Sequence, residues 1–242
     1  PDRGTANYTF VFQDDYVELL GVIADTPANR DKARIVRDEG EGLRAIACRI
    51  DDAHAARAAL AELGIKAGPV GEFSRPLPLP DGTTGTAAFA VTEFDAAEIP
   101  AGFVFMCQHK TPDMVWRPNG ARALAGIVAV SDAPETLAQR FARLYAAGSV
   151  APAGDGVFVV TTGTRSAPVF CMTPQAAGAR YSPGAVAATP RTGFAAVRVA
   201  VDDLDRARAA LRASGTPFHE RPGGIWVEPG AACGMILEFT PA

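Results

Sequence analysis

Two glutamates stand where a carboxylate is costly. Glu18 in YVELLG and Glu238 in MILEFT lie inside apolar runs. A buried carboxylate there needs a metal ion, an arginine or backbone amides to offset its lost hydration. His109 in FMCQHKTP, with Gln108 beside it, is one of only three histidines. An imidazole at that place suits metal ligation or general-base work, and a structural role is the alternative. Arg49 in AIACRIDD and Arg198 in AVRVAVDD stand among small residues, and a guanidinium forks onto carboxylates. Each could hold an anionic substrate or close an ion pair, Arg49 with Glu18 and Arg198 with Glu238. Trp116 in MVWRPNG could wall a pocket. His54 reads as an exposed residue at a helix start and His219 as a strand-edge residue.

The elements that position these groups are written more than once. Residues 50–64 (IDDAHAARAALAELG) and 201–215 (VDDLDRARAALRASG) share Asp51/Asp202, Asp52/Asp203, Ala56/Ala207, Arg57/Arg208, Ala58/Ala209, Ala59/Ala210, Leu60/Leu211 and Gly64/Gly215. In the later copy a valine-rich strand, GFAAVRVAV, leads into an Asp-capped helix that ends at Gly215. Three short strands follow, TPFHE, GGIWVEP and CGMILEFT. The earlier copy gives LRAIACRI, a helix, IKAGPV, GTAAFAVTEF and GFVFMCQH. A third copy starts at LAGIVAVSD, with Leu137, Phe141 and Leu144 on one helix face. Helices are expected near 52–63, 133–146 and 203–214. TANYTFVF and YVELLGVI match only the last two strands of such a unit, so the chain reads as four units, the first lacking its opening strand and helix.

Composition narrows the class. The 242 residues carry a net charge of −4 with no basic run, which argues against nucleic acid as partner. No stretch approaches the length needed to cross a bilayer. Cys48, Cys107, Cys171 and Cys233 form no close pair and sit in apolar runs, so buried free thiols and a cytoplasmic location are expected. GTTGT (82–86) is a turn without the helix and lysine of a phosphate loop. RPLPLPDGTTG reads as a long turn that could serve as a lid.

The strand–helix–strand–strand–strand repeat resembles the vicinal oxygen chelate superfamily. The residues that carry the resemblance are VRVAVDDLDRARAAL, GGIWVEPGAACGMILEF and GTANYTFVFQDDYVELLGV. The last, with CQHKTPDMVWRP, is similar to glyoxalase-like domain proteins. The resemblance implies an α+β fold of tandem βαβββ units paired into two curved mixed-sheet cups, with halves 1–117 and 118–242. It also implies metal ligands on first and last strands. The first-strand positions fall on Ala45, Gly126 and Ala196, which cannot ligate. Glu18 and His109 are then the expected ligands of a divalent metal (Zn, Fe, Mn or Ni) in the N-terminal cup, and the expected catalytic pair. A histidine on the missing first strand would complete the set. Arg49, Gln108, Trp116 and Arg198 are the expected substrate-binding residues. The implied function is metal-assisted isomerase, lyase or dioxygenase chemistry on a small oxygenated, anionic metabolite. The rival is metal-free binding of a small molecule, as in bleomycin-resistance proteins. A small-molecule substrate is the expected partner, with no nucleic acid or membrane; homodimerisation stays open.

Overall fold

A computed structural model describes residues 4–79, 81–115 and 122–242; Trp116 lies outside the described residues. The chain runs β1 (Thr5–Val11), β2 (Tyr16–Val22), α1 (Arg30–Glu39), β3 (Ala45–Ile50), α2 (Ala53–Glu62), β4 (Gly71–Pro78), β5 (Thr84–Glu93), β6 (Phe103–His109) and α3 (Pro112–Val115). It continues with β7 (Ala123–Val130), α4 (Pro134–Ala142), β8 (Ser149–Pro152), β9 (Val157–Thr161) and β10 (Val169–Met172). After α5 (Pro174–Arg180) and α6 (Pro183–Ala187) come β11 (Gly193–Val201), α7 (Leu204–Ala213), β12 (His219–Arg221), β13 (Gly224–Val227) and β14 (Ile236–Pro241).

The repeated Asp-Asp lines fold alike for a local reason. Asp52 caps α2 by accepting from the Ala55 amide, and Asp203 caps α7 by accepting from Asp205 and Arg206. Gly64 and Gly215 then take φ of 75° and 70° just past the helix ends, a conformation that favours glycine. In each of these units the last strand pairs in parallel with the first, β6 with β3 and β14 with β11. The intervening helix makes that crossover possible.

The two ends of the chain assemble differently. In the C-terminal half, first strands β7 and β11 pair antiparallel and fuse two units into one sheet, ordered β12-β13-β14-β11-β7-β10-β9-β8. In the N-terminal half, β3-β6-β5-β4 form a four-stranded sheet and β1-β2 a separate hairpin. The joint that fuses the C-terminal units is a first-strand pair. Among the described residues the hairpin supplies only β1 and β2, so β3 pairs with β6 alone.

Three further differences from the sequence reading have physical causes. IKAGPV contributes only an isolated bridge, Ala67 to Phe94, and the strand is formed instead by the proline-rich stretch that follows, as β4. Its register puts Pro76 and Pro78 on the outer strand of the sheet, where a missing amide hydrogen costs no ladder bond. Helices α1, α5 and α6 lie in segments that the repeat does not cover. Cys48, Cys107 and Cys171 are buried, whereas Cys233 is exposed in a turn with φ of 51°.

One core joins the halves. Leu137 and Phe141 of α4 are buried against Val160, Val169 and Phe194, and the same cluster takes in Cys48, Val104 and Met106 from the N-terminal sheet and Leu60 from α2. Arg140 and Arg143 of the α4 region donate across to the carbonyls of Ala97 (2.6 Å) and Leu63 (2.8 Å).

Gly126 shows what a first-strand position demands here. Its φ is 147°, and a Cβ built on it would lie 2.5 Å from the Phe170 ring. Gly126→Ala is expected to destabilise the protein by about 1–3 kcal/mol through overpacking and backbone strain. Urea unfolding would measure it, and an unchanged midpoint would refute the assignment.

Candidate functional site

The N-terminal sheet turns one face to α2, and among the described residues the opposite, more open face meets the hairpin and α3. Alternation along β6 sends Val104, Met106 and Gln108 toward α2 and Phe105, Cys107 and His109 to the opposite face. Cross-strand register places Arg49 beside Cys107, Phe89 beside His109 and Phe73 beside Phe89 on that open face. The hairpin meets it at one end. Tyr16 stands edge-on to His109 with ring centroids 5.8 Å apart, and Phe89 meets the imidazole from another side at 5.4 Å. Arg49 donates from Nη1 to the Asp14 carbonyl at 2.9 Å.

Electrostatics follow from this packing. Burial, with help from the Arg49 charge, lowers His109 to about 4, so the imidazole is neutral at physiological pH. Burial also raises Asp15 to about 6, opposed by Arg49 and reinforced by Asp14. The Cys107 thiol is pushed up to about 12, first by burial and then by the Glu18 charge. A thiol held that high is no nucleophile at neutral pH.

The expected residues distribute unevenly. Arg49 and His109 share the open face. Glu18 lies on the same side of β2 as Tyr16, but it is exposed and accepts a hydrogen bond from Asn7 Nδ2 at 2.8 Å. The expected Arg49–Glu18 ion pair gives way to the Arg49–Asp14 contact. Gln108 faces the other way: its Oε1 accepts from the Ala53 amide at 3.2 Å and helps to seat the start of α2. Among the described residues no three of His, Cys, Asp and Glu form a group able to hold a metal ion. Glu18 and His109 therefore fall short of the three protein ligands that a catalytic divalent site uses.

The C-terminal sheet carries a second polar cluster. Glu238 has no exposed surface, yet it is ionised. Burial pushes its carboxyl up, but hydrogen bonds and charge from Arg180, the Tyr181 hydroxyl and Arg198 outweigh that and hold it below its ordinary value. Arg180 approaches to 2.6 Å, Tyr181 to 2.7 Å and Arg198 to 3.1 Å, and Arg221 joins from β12. The pair expected between Arg198 and Glu238 is present because parallel pairing sets them opposite each other. Arg180 and Tyr181 come from the α5–α6 segment, which packs against Val128, Ala196, Trp226 and Ile236 on the sheet face away from α4.

Sequence reasoning missed Asp15, Tyr16, Arg180, Tyr181 and Arg221. A Thr-Pro at 173–174 and a Ser-Pro at 182–183 were readable helix starts. They would have found α5 and α6, though not where Arg180 and Tyr181 reach.

Paired βαβββ units with parallel first-to-last strand pairing are the architecture of the vicinal oxygen chelate superfamily. Within it the chain belongs to the glyoxalase-like domain family, whose model matches residues 1–145. No curated protein matches the chain. Solved structures share the fold at low identity. A hypothetical protein from Staphylococcus aureus has a TM-score of 0.68 at 12% identity, covering 100% of this chain and 87% of its own. A mutant 4-hydroxymandelate synthase from Streptomyces coelicolor has a TM-score of 0.60 at 14% identity, covering 97% of this chain and 80% of its own. A xylose isomerase-like TIM barrel/4-hydroxyphenylpyruvate dioxygenase fusion protein has a TM-score of 0.58 at 12% identity, over 96% of this chain and 44% of its own. Among the described residues no helix is long and apolar enough to cross a membrane.

Tyr181→Phe removes one hydrogen bond to a buried charge and is expected to cost about 2 kcal/mol. Because Glu238 is depressed, its stabilisation is complete above the unfolded value near 4.5 and is lost as pH falls below it. Denaturant melts of both proteins from pH 3 to 7 would measure the cost and the slope; a variant as stable as the parent at pH 7 would contradict the assignment.

Proposed function

We propose that this glyoxalase-like protein binds a small oxygenated anion on the open face of its N-terminal sheet, without a bound metal. The observation that carries the reading is Arg49. It is a guanidinium exposed on that face, beside a neutral imidazole and an aromatic wall of Tyr16, Phe89 and Phe73. A charged group beside aromatic side chains has the mix of polar and apolar surface that a small-molecule site uses. Arg49 supplies the charge that holds an anionic oxygen, and His109, uncharged and with both ring nitrogens buried, backs the aromatic wall of Tyr16 and Phe89. Glu18, open to water at the rim, disfavours a second negative group there. A divalent metal on Glu18 and His109 does not fit the described donor set, so no step is routed through one.

A second reading is favoured by Asp15. A carboxyl that titrates near 6 beside Arg49 can take and return a proton at neutral pH, which suits acid–base turnover of the bound molecule. Metal analysis of the isolated protein, together with calorimetric titration against a panel of small 2-oxo and 2-hydroxy acids, tests both readings. Saturable binding in metal-free protein supports the first. A stoichiometric divalent metal that is needed for binding would overturn it, and product formation would favour the second.

The pH dependence has a fixed sign. As pH rises through about 6, Asp15 ionises and competes with the ligand for Arg49, so anion affinity is expected to fall. Asp15→Asn is expected to flatten that profile. It should also stabilise the protein at pH 7 by about 1 kcal/mol once solvent screening is allowed for, because the folded state no longer ionises a half-buried carboxyl. Arg49→Ala is expected to weaken binding about 10- to 100-fold with little change in melting temperature. If Arg49→Ala binds like the parent, the site is elsewhere.

A further inference from the structure

Three guanidinium groups converge on one carboxylate in the C-terminal sheet. Arg180, Arg198 and Arg221 come from α5, β11 and β12, and their ion pairs among the described residues all end on Glu238. The cluster therefore carries three positive charges against one negative. The layering matters as much as the count. Glu238 has no exposed surface, while the three arginine side chains keep 15–20% of theirs. The surplus charge thus forms the outer layer.

That surplus is under electrostatic tension. Burial disfavours the Arg198 cation, and Arg180 and Arg221 repel it, with Glu238 and Tyr181 giving relief. The bonds to Glu238 use Nε and Nη2 of Arg180, Nε of Arg198 and Nη1 of Arg221. Each guanidinium has five N–H donors in a rigid fork, so donors remain beyond those bonds. The Arg198 guanidinium is fixed over the Phe170 ring at 4.5 Å, which sets its plane.

We propose that this cluster is an anion site for a small dicarboxylate. One carboxylate docks on the outer edges of Arg198 and Arg221, and the second is held by the field of all three arginines. Glu238 acts as the fixed internal counter-charge that spaces the guanidinium groups. Two surplus positive charges match two carboxylates, and the planar forks match carboxylate geometry. This inference is independent of the reading of the N-terminal face.

The test is calorimetric titration of the full chain with malonate, and separately with inorganic phosphate, at low ionic strength. Saturable malonate binding is expected, weakened at least about tenfold in Arg221→Gln and in Arg198→Gln. It should also weaken in high salt, as an exposed charge contact does. Arg208→Gln removes the same charge from the surface of α7 and is expected to leave affinity unchanged. Glu238→Gln, where circular dichroism shows it folded, is expected to bind malonate more tightly because the internal competitor is gone. Absence of saturable malonate binding overturns the proposal, as does equal affinity in Arg221→Gln and Arg198→Gln. Phosphate binding that is tighter than malonate with the same arginine dependence overturns the dicarboxylate assignment.

Discussion

A carboxylate with no exposed surface sets the terms for the C-terminal half. Ionised Glu238 is tolerable only with several donors around it, and those donors come from four places: β11, β12 and the two positions at the end of α5. Removing one partner from such a cluster is costly, because the remaining charge stays buried. The constraint reaches further than the cluster. For Arg180 and Tyr181 to reach Glu238, the α5–α6 segment must lie across the sheet face, where it also covers Val128, Ala196 and Trp226. Phe170 fills the space over Gly126 and supports Arg198 from below. The sheet face expected from the sequence as a cup is here occupied by the chain's own side chains.

Among the described residues the N-terminal half shows no ion cluster of that kind. Its open face carries Ala45, Ala47 and Arg49 on β3, all exposed, and Phe103 and Phe105 stack in parallel with centroids 5.3 Å apart. Among the described residues the hairpin leans on this face through Tyr16 and the carbonyl of Asp14, and α3 lies against β5, where Met114 comes close to Gly85. The same architecture thus appears once with an ion cluster beneath α5–α6 and once with an exposed guanidinium, Arg49, on the corresponding face.

Much of this was legible in the sequence because it depends on local rules. Asp caps, glycine stops and strand alternation fixed the repeat, the helix positions near Ala53, Pro134 and Leu204, and the meeting of Arg198 with Glu238. What was not legible depends on segments outside the repeat. The partners of Glu238 from α5 carry no periodic mark that points to a distant strand. Glu18 looked buried because its neighbours are apolar, yet Tyr8, Phe10 and Leu20 on the same hairpin are themselves exposed, so apolar flanks did not imply a dry site. The β4 prolines hid a strand, because proline excludes a central strand and not an outer one.

The packing of α4 gives the two halves a common fate. Phe141 is fully buried within a cluster that includes Phe194 of one sheet and Leu60, Val104 and Met106 of the other half. Each half would lose part of this shared interior if the other were removed, while the cluster beneath α5–α6 lies wholly in the C-terminal half. The boundary between the halves is therefore bridged by α4, through its buried side chains and the bonds from Arg140 and Arg143. A loosening of α4 would be felt in both sheets, because the same side chains line both sides of that interior.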